Sequence, residues 1–581
     1  MSRLIAALAV VWRLAAPYFR SEDRWAGRAL LAAVIAIELA IVAITVMINQ
    51  WNARFYNALQ ERDWTSFVSE LVFFCALAAA FIVLAVYQLY LNQWLQIRWR
   101  RWMTDRYLSH WLEDANHYRM QLLGDAADNP DQRIADDINL FIDRGLSIGL
   151  GLLSSVVTLV SFVAILWNLS AQAPLQIGGT VWSIPGYLVW AALLYAIAGT
   201  ALTHLIGRPL IPLNFQQQRY EADFRFHLVR VRENGEQIAL LAGEPAEKAR
   251  LLDRFAAVMS NWYAIMIRQK KLTFFTAGYR QASTVFPFVV MSPAYFASVI
   301  NLGALMQAAD AFANVQTALS FFVTSYRTIA EWKAVVDRLD GFDRSIAAGR
   351  AVAAGPATIA VTPRAEADRI AAGSLAVRLP DGRALVRADA LGLPAGERVL
   401  VNGPSGSGKS TLFRALAGIW PFGDGTVAVP EGKSVMVLPQ RPYLPVGPLA
   451  AAVSYPGLPD AFPRDTVAEV LGAVGLPGLV PRLDEEAHWG RMLSLGEQQR
   501  VAIARAILHA PDYLLLDEAT ASLDEPSEAA LYRLLRERLP GTALISIGHR
   551  STLDALHDRH LVLEREGDGH AVRERTLTPA Q

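Results

Sequence analysis

Apolar residues are unevenly distributed along the chain, and their pattern divides it into two parts. The first ~330 residues carry long apolar runs, whereas the last ~200 alternate short apolar runs with polar turns, as in a soluble α/β domain. Each of the first four long runs offers about 20 largely apolar residues, enough to cross ~30 Å of hydrocarbon. The six predicted membrane spans are Gly27–Asn49, Phe67–Leu91, Leu146–Ser170, Ile184–Ile206, Leu272–Val299 and Leu302–Tyr326.

The last two predicted spans are less apolar than the others. The fifth contains Arg280, Pro287 and Pro293, and the sixth contains Asp310. We therefore expect both to face the interior of a helix bundle or a transport pathway rather than lipid. Because charged side chains are costly in hydrocarbon, Arg280 should pair with Glu38 or Asp310, unless these side chains contact a solute.

Basic residues in the loops predict the orientation in the membrane. The loops Asn92–Gly145 and Gly207–Lys271 carry seven and eleven Lys and Arg residues, whereas Trp51–Ser66 carries two and Ala171–Ser183 carries none. Loops rich in Lys and Arg stay in the cytoplasm, so both termini and the two long loops are predicted to be cytoplasmic. Helical patterns continue into these loops, which predicts membrane helices that extend into the cytoplasm.

The same patterns predict the domain organisation. We expect an all-α transmembrane domain over residues 1–344, a linker rich in Ala, Gly and Pro over 345–373, and an α/β domain over 374–581. The chain of 581 residues has 54 basic and 54 acidic side chains, so bulk attraction to nucleic acid is not expected. Its one cysteine, Cys75, excludes an intrachain disulfide and a cysteine-based zinc cluster.

A glycine-rich loop lies between a strand and a helix of the C-terminal domain. The strand is Arg398–Val401 and the helix is Thr411–Ile419. The loop has the spacing G-x-x-x-x-G-K-S, whose backbone N–H groups wrap phosphates at a helix N-terminus. We expect Lys409 to reach the β- and γ-phosphates and Ser410 to ligate Mg²⁺. The predicted phosphate-binding residues are Gly403, Pro404, Ser405, Gly406, Ser407, Gly408, Lys409, Ser410 and Thr411.

Two carboxylates follow the apolar run Tyr513–Leu516. Such a run is typical of a buried parallel strand. Asp517 is predicted to hold Mg²⁺ through water, and Glu518 to polarise the attacking water as the catalytic base. The alternative is a structural acidic pair at a sheet edge, which the upstream phosphate loop disfavours.

Four further motifs occur in the order typical of ATP-binding cassette (ABC) proteins. Leu493–Arg500 resembles the signature motif of that family, and Ala521–Asp524 resembles its D-loop. Gln440 resembles the glutamine of its Q-loop, and His549 resembles its switch histidine. The resemblance therefore covers the whole predicted α/β domain.

This resemblance implies roles for the matching residues. In the family two ATPase domains dimerise head to tail, and each ATP lies between the phosphate loop of one and the signature of the other. The segment from Ser494 to Glu497 would face the ATP across that interface, with Ser494 and the backbone of Gly496 contacting the γ-phosphate. Asp524 would link the two sites. Gln440 would sense Mg²⁺ or water, and His549 would hold the γ-phosphate.

Two features depart from the family pattern. The signature has Leu495 where glycine is usual and Glu497 where glutamine is frequent. The segment Ser374–Leu385 offers no aromatic side chain to stack on adenine. Neither departure removes a catalytic group, so an active ATPase is expected.

The cytoplasmic loops resemble one branch of the family. The segments Asn129–Asp137 and Glu233–Glu247 resemble motifs shared by peroxisomal fatty-acyl transporters (the D subfamily) and bacterial SbmA/BacA-like proteins. Trp51–Gln60 resembles an SbmA/BacA-type segment, and it is expected to be either an interfacial aromatic anchor or a gate. For Asn129–Asp137 we expect a structural role at the ATPase interface, with a solvated charged turn as the alternative.

One membrane half and one ATPase domain imply a homodimer in a lipid bilayer. The resemblance implies an exporter-like six-helix fold that uses ATP and Mg²⁺, and SbmA/BacA-like relatives import bulky hydrophilic solutes such as peptides and cobalamin. We therefore expect an ATP-driven importer of such solutes in the bacterial inner membrane, with its ATPase domain in the cytoplasm. A fatty-acyl or acyl-CoA transporter is the nearest alternative, and an ATP-gated channel is a further one.

Overall fold

The chain forms two compact units in the computed structural model, which describes residues 2–124, 129–172, 175–177, 180–182, 184–353, 355, 358–365 and 367–575. The first unit comprises Met1–Arg106 and Asp131–Asp340, and the second comprises Tyr107–Pro130 and Gly341–Gln581. Part of the first predicted cytoplasmic loop therefore belongs to the second unit.

Helices dominate the chain up to Ala353. The longest has 53 residues, and at 1.5 Å per residue it spans ~80 Å, far more than the hydrocarbon thickness. The helix that contains the second predicted span is similarly long, with 49 residues, so both are longer than a membrane crossing requires. The helices are α1 Ser2–Ala15, α2 Arg24–Glu61, α3 Trp64–Leu112, α4 Asn116–Leu122, α5 Pro130–Gln132, α6 Ile138–Gln172, α7 Tyr187–Gly207, α8 Leu210–Glu233, α9 Gly235–Leu240, α10 Glu244–Phe296, α11 Leu302–Leu319 and α12 Phe321–Ala353. A short hairpin of β1 Leu175–Ile177 and β2 Thr180–Trp182 lies between α6 and α7.

Four helical segments are long and apolar enough to cross a membrane. They contain the first three predicted spans, in α2, α3 and α6, and the fourth from Tyr187 onwards, in α7. The fifth and sixth predicted spans are also helical, in α10 and in α11 and α12. Within the described residues, however, those helices do not combine the required length with a sufficiently apolar composition. Polar residues and prolines lower their hydropathy, and a break at Ser320 leaves α11 with 18 residues. The count of six spans is therefore not confirmed.

Within the first unit, α11 packs against α2, α6, α7 and α10. Its buried residues recur at the spacing of one helix face. Gly303 lies so close to α2 that a Cβ there would overlap the carbonyl oxygen of Ala53. Small residues at such positions let membrane helices approach closely. The buried face is formed by Leu305, Ala308, Ala311, Phe312, Val315 and Ala318.

Amide side chains, not a basic one, donate to the two carboxylates that were expected to pair with Arg280. Glu38 accepts a hydrogen bond from the Gln88 amide, and Asp310 accepts one from Asn49 Nδ2 at 2.6 Å. Arg280 is exposed and forms no ion pair with either carboxylate among the described residues. The expected pairing is therefore wrong, because neighbouring helices supply neutral donors instead.

The segment Asn129–Asp137 ends in a buried ion cluster. Asp137 accepts hydrogen bonds from Arg133 Nη1 at 2.6 Å and from Arg338 Nε and Nη2 at 2.9 and 2.5 Å. The wide π-type turn Arg133–Asp137 brings its two end residues together, and Asp137 is only 1% exposed. The solvated charged turn is therefore excluded, since the motif ties the start of α6 to α12.

The second unit contains a ten-stranded sheet in the order β3-β7-β4-β5-β14-β13-β6-β12-β11-β8. A separate two-stranded pair joins β9 to β10. The strands are β3 Ala360–Arg364, β4 Arg369–Arg378, β5 Ala384–Pro394, β6 Arg398–Asn402, β7 Gly423–Pro430, β8 Val435–Leu438, β9 Gly447–Pro448, β10 Glu486–Ala487, β11 Tyr513–Asp517, β12 Ala543–Ile547, β13 Arg559–Glu566 and β14 Gly569–Arg575. The helices are α13 Lys409–Leu416, α14 Leu449–Ser454, α15 Arg464–Ala473, α16 Trp489–Met492, α17 Leu495–His509 and α18 Glu525–Arg538.

Five neighbouring strands of this sheet, β8, β11, β12, β6 and β13, are parallel. The sequences of β11 and β12 are almost wholly apolar because both faces are covered, as expected for interior parallel strands. One hydrophobic core contains α14, α15 and α17, and another contains α13 with β4 and β5. The carboxyl ends of these parallel strands share one edge of the sheet, which is where α/β proteins bind ligands.

Regular elements occupy much of the stretch predicted as a linker. The helix α12 extends to Ala353, and the strand β3 begins at Ala360, while residues 354, 356–357 and 366 lie outside the described residues. Within the second unit, Leu122 of α4 packs against the core around α13. A hydrophobic contact therefore ties part of the first predicted cytoplasmic loop to the sheet-containing unit.

Candidate functional site

A glycine-rich loop links β6 to α13 at the carboxyl edge of the sheet. Gly406 and Gly408 have φ angles of +79° and +95°, which only glycine adopts without strain. A Cβ at Gly408 would also lie 2.7 Å from Leu385 Cγ. Because α13 starts at Lys409, its first backbone N–H groups face this loop, an arrangement suited to an anion.

The Lys409 side chain folds back onto the loop. Its Nζ donates to the carbonyl oxygens of Gly403 and Pro404, both at 2.9 Å. Burial lowers the pKa of the Lys409 ammonium, while Glu518 and Asp517 oppose that shift. The ammonium is therefore held at the mouth of the loop by weak acceptors that a phosphate can replace.

Two oxygen ligands meet beside the loop. Ser410 Oγ donates to Asp517 Oδ1 at 2.8 Å, because α13 begins next to the end of β11. Burial raises the pKa of Asp517, and the Ser410 hydrogen bond opposes the shift. A hydroxyl and a carboxylate at this distance fit Mg²⁺, which binds few protein oxygens together with water and phosphate.

Glu518 lies where three adjacent parallel strands end. Its backbone is left-handed, with φ at +51°, a conformation that often marks functional sites. Glu518 Oε2 accepts from Gln440 Nε2 at 3.0 Å, and Oε1 lies 3.3 Å from His549 Nε2. A cavity of about 90 Å³ beside Glu518 and His549 has room for a few water molecules. The site can therefore hold a water next to a carboxylate.

The predicted signature residues lie at the start of α17. Ser494 caps that helix: its Oγ accepts from the Glu497 N–H at 3.3 Å and donates to Glu497 Oε2 at 2.8 Å. The Glu497 carboxylate also accepts from the Ser494 N–H at 2.8 Å, completing a capping box. Gly496 packs beside Leu523, leaving 3.2 Å for an added Cβ.

The structure brings only some of the predicted site residues together. Six of them converge at the sheet edge: Lys409, Ser410, Gln440, Asp517, Glu518 and His549. The loop residues Pro404, Ser405 and Ser407 precede α13, and Thr411 lies in its first turn. Ser494 and Glu497 bond to each other, and Asp524 precedes α18 without a side-chain cap. No described hydrogen bond connects these three residues to the phosphate loop.

A buried glutamine that sequence analysis left without a role joins two functional loops. Gln499 is fully buried. Its Nε2 donates to the backbone oxygen of Gln440 at 3.1 Å, and its Oε1 accepts from the Ser522 N–H at 3.1 Å. The sequence shows a polar side chain within the signature segment, but its hydrogen-bond partners lie far away along the chain and cannot be identified from the sequence. Gln499 therefore positions both loops beside Glu518.

An arginine next to the predicted switch histidine was also missed. Arg550 Nη1 donates to the Leu523 carbonyl at 2.6 Å, and Nη2 donates to the Ala521 carbonyl at 3.1 Å. Both carbonyls belong to the segment identified as the D-loop. The residue after His549 therefore fixes the backbone of that segment, a role with no local sequence signal.

Two protein families match this chain. Residues 14–296 match the family described as ABC transporter transmembrane region 2, and residues 386–521 match the family described as ABC transporter. The two matches follow the order of the helical and sheet-containing parts of the chain.

Similar proteins cover nearly the whole chain. It is 34% identical to the inner membrane ABC transporter ATP-binding protein YddA of Escherichia coli, over 92% of this chain and 93% of the relative. It is 34% identical to the chloroplastic ABC transporter D family member 2 of Arabidopsis thaliana, over 95% of this chain and 85% of the relative. With the lysosomal cobalamin transporter ABCD4 of Mus musculus the identity is 25%, over 96% and 94% of the two chains.

A solved structure shares the fold. A bacterial Atm1-family ABC exporter with ATP bound superposes with a TM-score of 0.70 over 94% of each chain, at 19% sequence identity. At that identity the likeness concerns the fold alone, a helical membrane region followed by a sheet-containing ATPase domain.

Proposed function

Because this chain belongs to the ABC transporter family, with a membrane region joined to an ATPase domain and relatives in the D subfamily, we propose that it acts as a homodimeric importer. It uses ATP to move bulky hydrophilic solutes such as peptides or cobalamin across the bacterial inner membrane. One observation carries the proposal: the six converging residues meet at a sheet edge in a chain with four membrane-length helical segments.

The converging residues have distinct roles in this proposal. Lys409 and the loop N–H groups bind the phosphates, and Ser410 with Asp517 holds Mg²⁺, which neutralises phosphate charge when bound. Glu518 accepts the proton of the attacking water. Gln440 and His549 orient the water and the γ-phosphate, since both already contact the Glu518 carboxylate.

Exposed apolar side chains on α10 support a homodimer. Trp262, Tyr263 and Met266 are 49%, 58% and 56% exposed, and all precede the fifth predicted span. Apolar surface outside the membrane indicates a protein partner. In a dimer Ser494, Gly496 and Glu497 would meet the nucleotide of the second copy, and Asp524 would join the two sites.

We include α10 and α11 among six membrane spans. Their low hydropathy fits helices that face a polar pathway, and α11 packs against three of the four apolar helical segments. The cobalamin transporter among the relatives and the resemblance to SbmA/BacA-like proteins support a bulky hydrophilic cargo. A fatty-acyl or acyl-CoA cargo is the alternative, supported by the resemblance to the peroxisomal transporters.

The decisive experiment measures uptake into proteoliposomes that contain ATP. The ATPase domain must face the vesicle interior, so that it can use this ATP. Labelled cobalamin and a labelled peptide should accumulate against their gradients. The Glu518→Gln variant should bind ATP but lose about 100-fold or more of the hydrolysis rate, and it should lose uptake.

Other results would revise the proposal. Stimulation of ATP hydrolysis by acyl-CoA without uptake of either solute would favour the lipid-type cargo. Flux that stops when the gradient is exhausted would favour an ATP-gated channel. Hydrolysis unchanged in Glu518→Gln would remove that residue from the role of base.

A further inference from the structure

Three acidic residues lie in the six predicted spans: Glu38, Glu70 and Asp310. Glu70 Oε1 pairs with Arg54 Nε at 2.9 Å, whereas Glu38 and Asp310 receive only amide donors in the described part of the chain. An uncompensated carboxylate among membrane helices is costly, so a functional partner is the default explanation.

One oxygen of Asp310 is held firmly by neighbouring amides. Oδ2 accepts from Asn49 Nδ2 at 2.6 Å and from Asn314 Nδ2 at 3.4 Å. Asn49 is fully buried, and Gln307 fixes its orientation with contacts at 3.0 and 3.2 Å. Among the described residues no hydrogen bond reaches Oδ1. The carboxylate is therefore oriented with one oxygen available to accept.

The basic residues of the predicted spans leave Asp310 without a counter-charge. Only two occur there, Arg28 and Arg280. Arg28 donates to the Phe19 carbonyl at 3.0 Å. Arg280 is exposed and forms no ion pair with any residue that the structure describes. Among the described residues, the basic side chains of these spans therefore do not supply a counter-charge to Asp310.

The Asp310 side chain belongs to a polar face of α11. Gln307, Asp310, Asn314 and Thr317 follow the helical spacing of one face, and Thr317 is exposed. The apolar residues of the other face pack in the unit, and Asn49 of α2 covers part of the polar face. A polar face of this kind does not suit lipid, so it indicates a water-accessible pathway.

We propose that Asp310, oriented by Asn49 and Asn314, binds an ammonium or guanidinium group of the transported solute. The proposal rests on the proposed transport function and narrows its cargo to hydrophilic solutes that carry positive charge. Hydrogen bonds between charged groups are short and strong, and a partly desolvated site strengthens them further. One firmly held oxygen and one free oxygen give the solute a fixed docking point.

Binding of a fluorescent hexa-arginine peptide to the full-length protein in nanodiscs tests this site. The matched probe is the same peptide with citrulline, which is uncharged, in place of arginine. The wild type should prefer the arginine peptide, and Asp310→Asn should weaken its binding by about 10- to 100-fold. Asp310→Glu should keep most of the affinity. The control Asp143→Asn removes a carboxylate that is 49% exposed in the same unit and should leave the affinity unchanged.

A second measurement does not depend on a variant that folds. An arginine peptide with a photoreactive group should crosslink to the Gln307–Thr317 face of the wild-type protein. Crosslinks confined to other helices, or equal affinity for the two peptides, would overturn the proposal. Loss of the dimer in Asp310→Asn with unchanged peptide affinity would assign the carboxylate to a contact between protomers instead.

The outcomes also separate this site from the transport function. Asp310-dependent binding without ATP-driven accumulation would leave the site standing and remove the proposed transport. ATP-driven uptake of cobalamin with no preference for the charged peptide would leave the transport standing and remove the site.

Discussion

At the scale of residues, Lys409 provides a direct test of the proposed phosphate loop. Lys409 Nζ donates to two loop carbonyls at 2.9 Å, and we propose that it binds phosphate rather than holds the fold. The variant Lys409→Ala should therefore weaken the binding of a fluorescent ATP analogue by at least about tenfold, since a charge-assisted contact is lost. Lys433→Ala, which changes an exposed lysine of the same unit, should bind normally. Tight binding by Lys409→Ala would contradict the assignment of the phosphate loop.

His557 should set part of the acid sensitivity of the second unit. Its ring contacts the Leu553 carbonyl at 2.8 Å and Ser546 Oγ at 2.9 Å, and burial lowers its pKa below the ordinary value of 6.5. Between the two pKa values the unfolded chain binds a proton that the folded chain does not. Stability is therefore complete above pH 6.5 and declines below it, by at most about 1.4 kcal/mol per pH unit.

Melting temperatures of the full-length protein in detergent test the role of His557. Between neutral pH and about pH 5, the melting temperature should fall less in His557→Gln than in the wild type. The exposed His488 supplies the control, because His488→Gln should follow the wild type. Parallel curves for all three proteins would exclude His557 as the source of the acid sensitivity.

At the scale of elements, the junction of α6 and α12 depends on one carboxylate. Removing the Asp137 charge would weaken its buried hydrogen bonds to Arg133 and Arg338. We expect Asp137→Asn to lower the free energy of unfolding by about 3 kcal/mol, as for other broken buried ion pairs. Asp337 pairs with Lys333 in solvent, so Asp337→Asn should cost less than about 1 kcal/mol. Chemical unfolding followed by tryptophan fluorescence compares the two, and equal losses would mean that burial of the cluster is unimportant.

The sequence predicts those elements and site residues whose conformation is set by neighbouring residues in the chain. The phosphate loop and the strand before Asp517 follow from glycine spacing and apolar runs within a few residues. Gln499 and Arg550 bind backbone groups of other loops, and Arg338 reaches Asp137 across 201 positions. Such pairs arise only when elements pack, which also explains why the Arg280 pairing failed. Hydropathy predicted α11 weakly because its polar face lowers the mean hydropathy of a helix that still packs among apolar ones. Polar residues and prolines lower the mean hydropathy of α10.

At the scale of the whole molecule, the exposed apolar surface of α10 should determine the oligomeric state. A glutamate at position 266 would place a charge in that surface and oppose its burial against a second copy. We expect Met266→Glu to shift the purified protein from dimer to monomer in mass photometry with ATP present. Ala222 is exposed on α8, so Ala222→Glu is a matched control that should remain dimeric. A dimeric Met266→Glu protein would place the interface elsewhere.

The capping box at the start of α17 has a consequence for the resting protomer. Ser494 and Glu497 satisfy one another's polar groups at 2.8 Å, so this helix end does not need a neighbour to be stable. In the proposed dimer, a phosphate of the second copy's nucleotide would compete with the Glu497 carboxylate for the Ser494 hydroxyl. Association of two copies would then be reversible and would depend on the nucleotide supply of the cell.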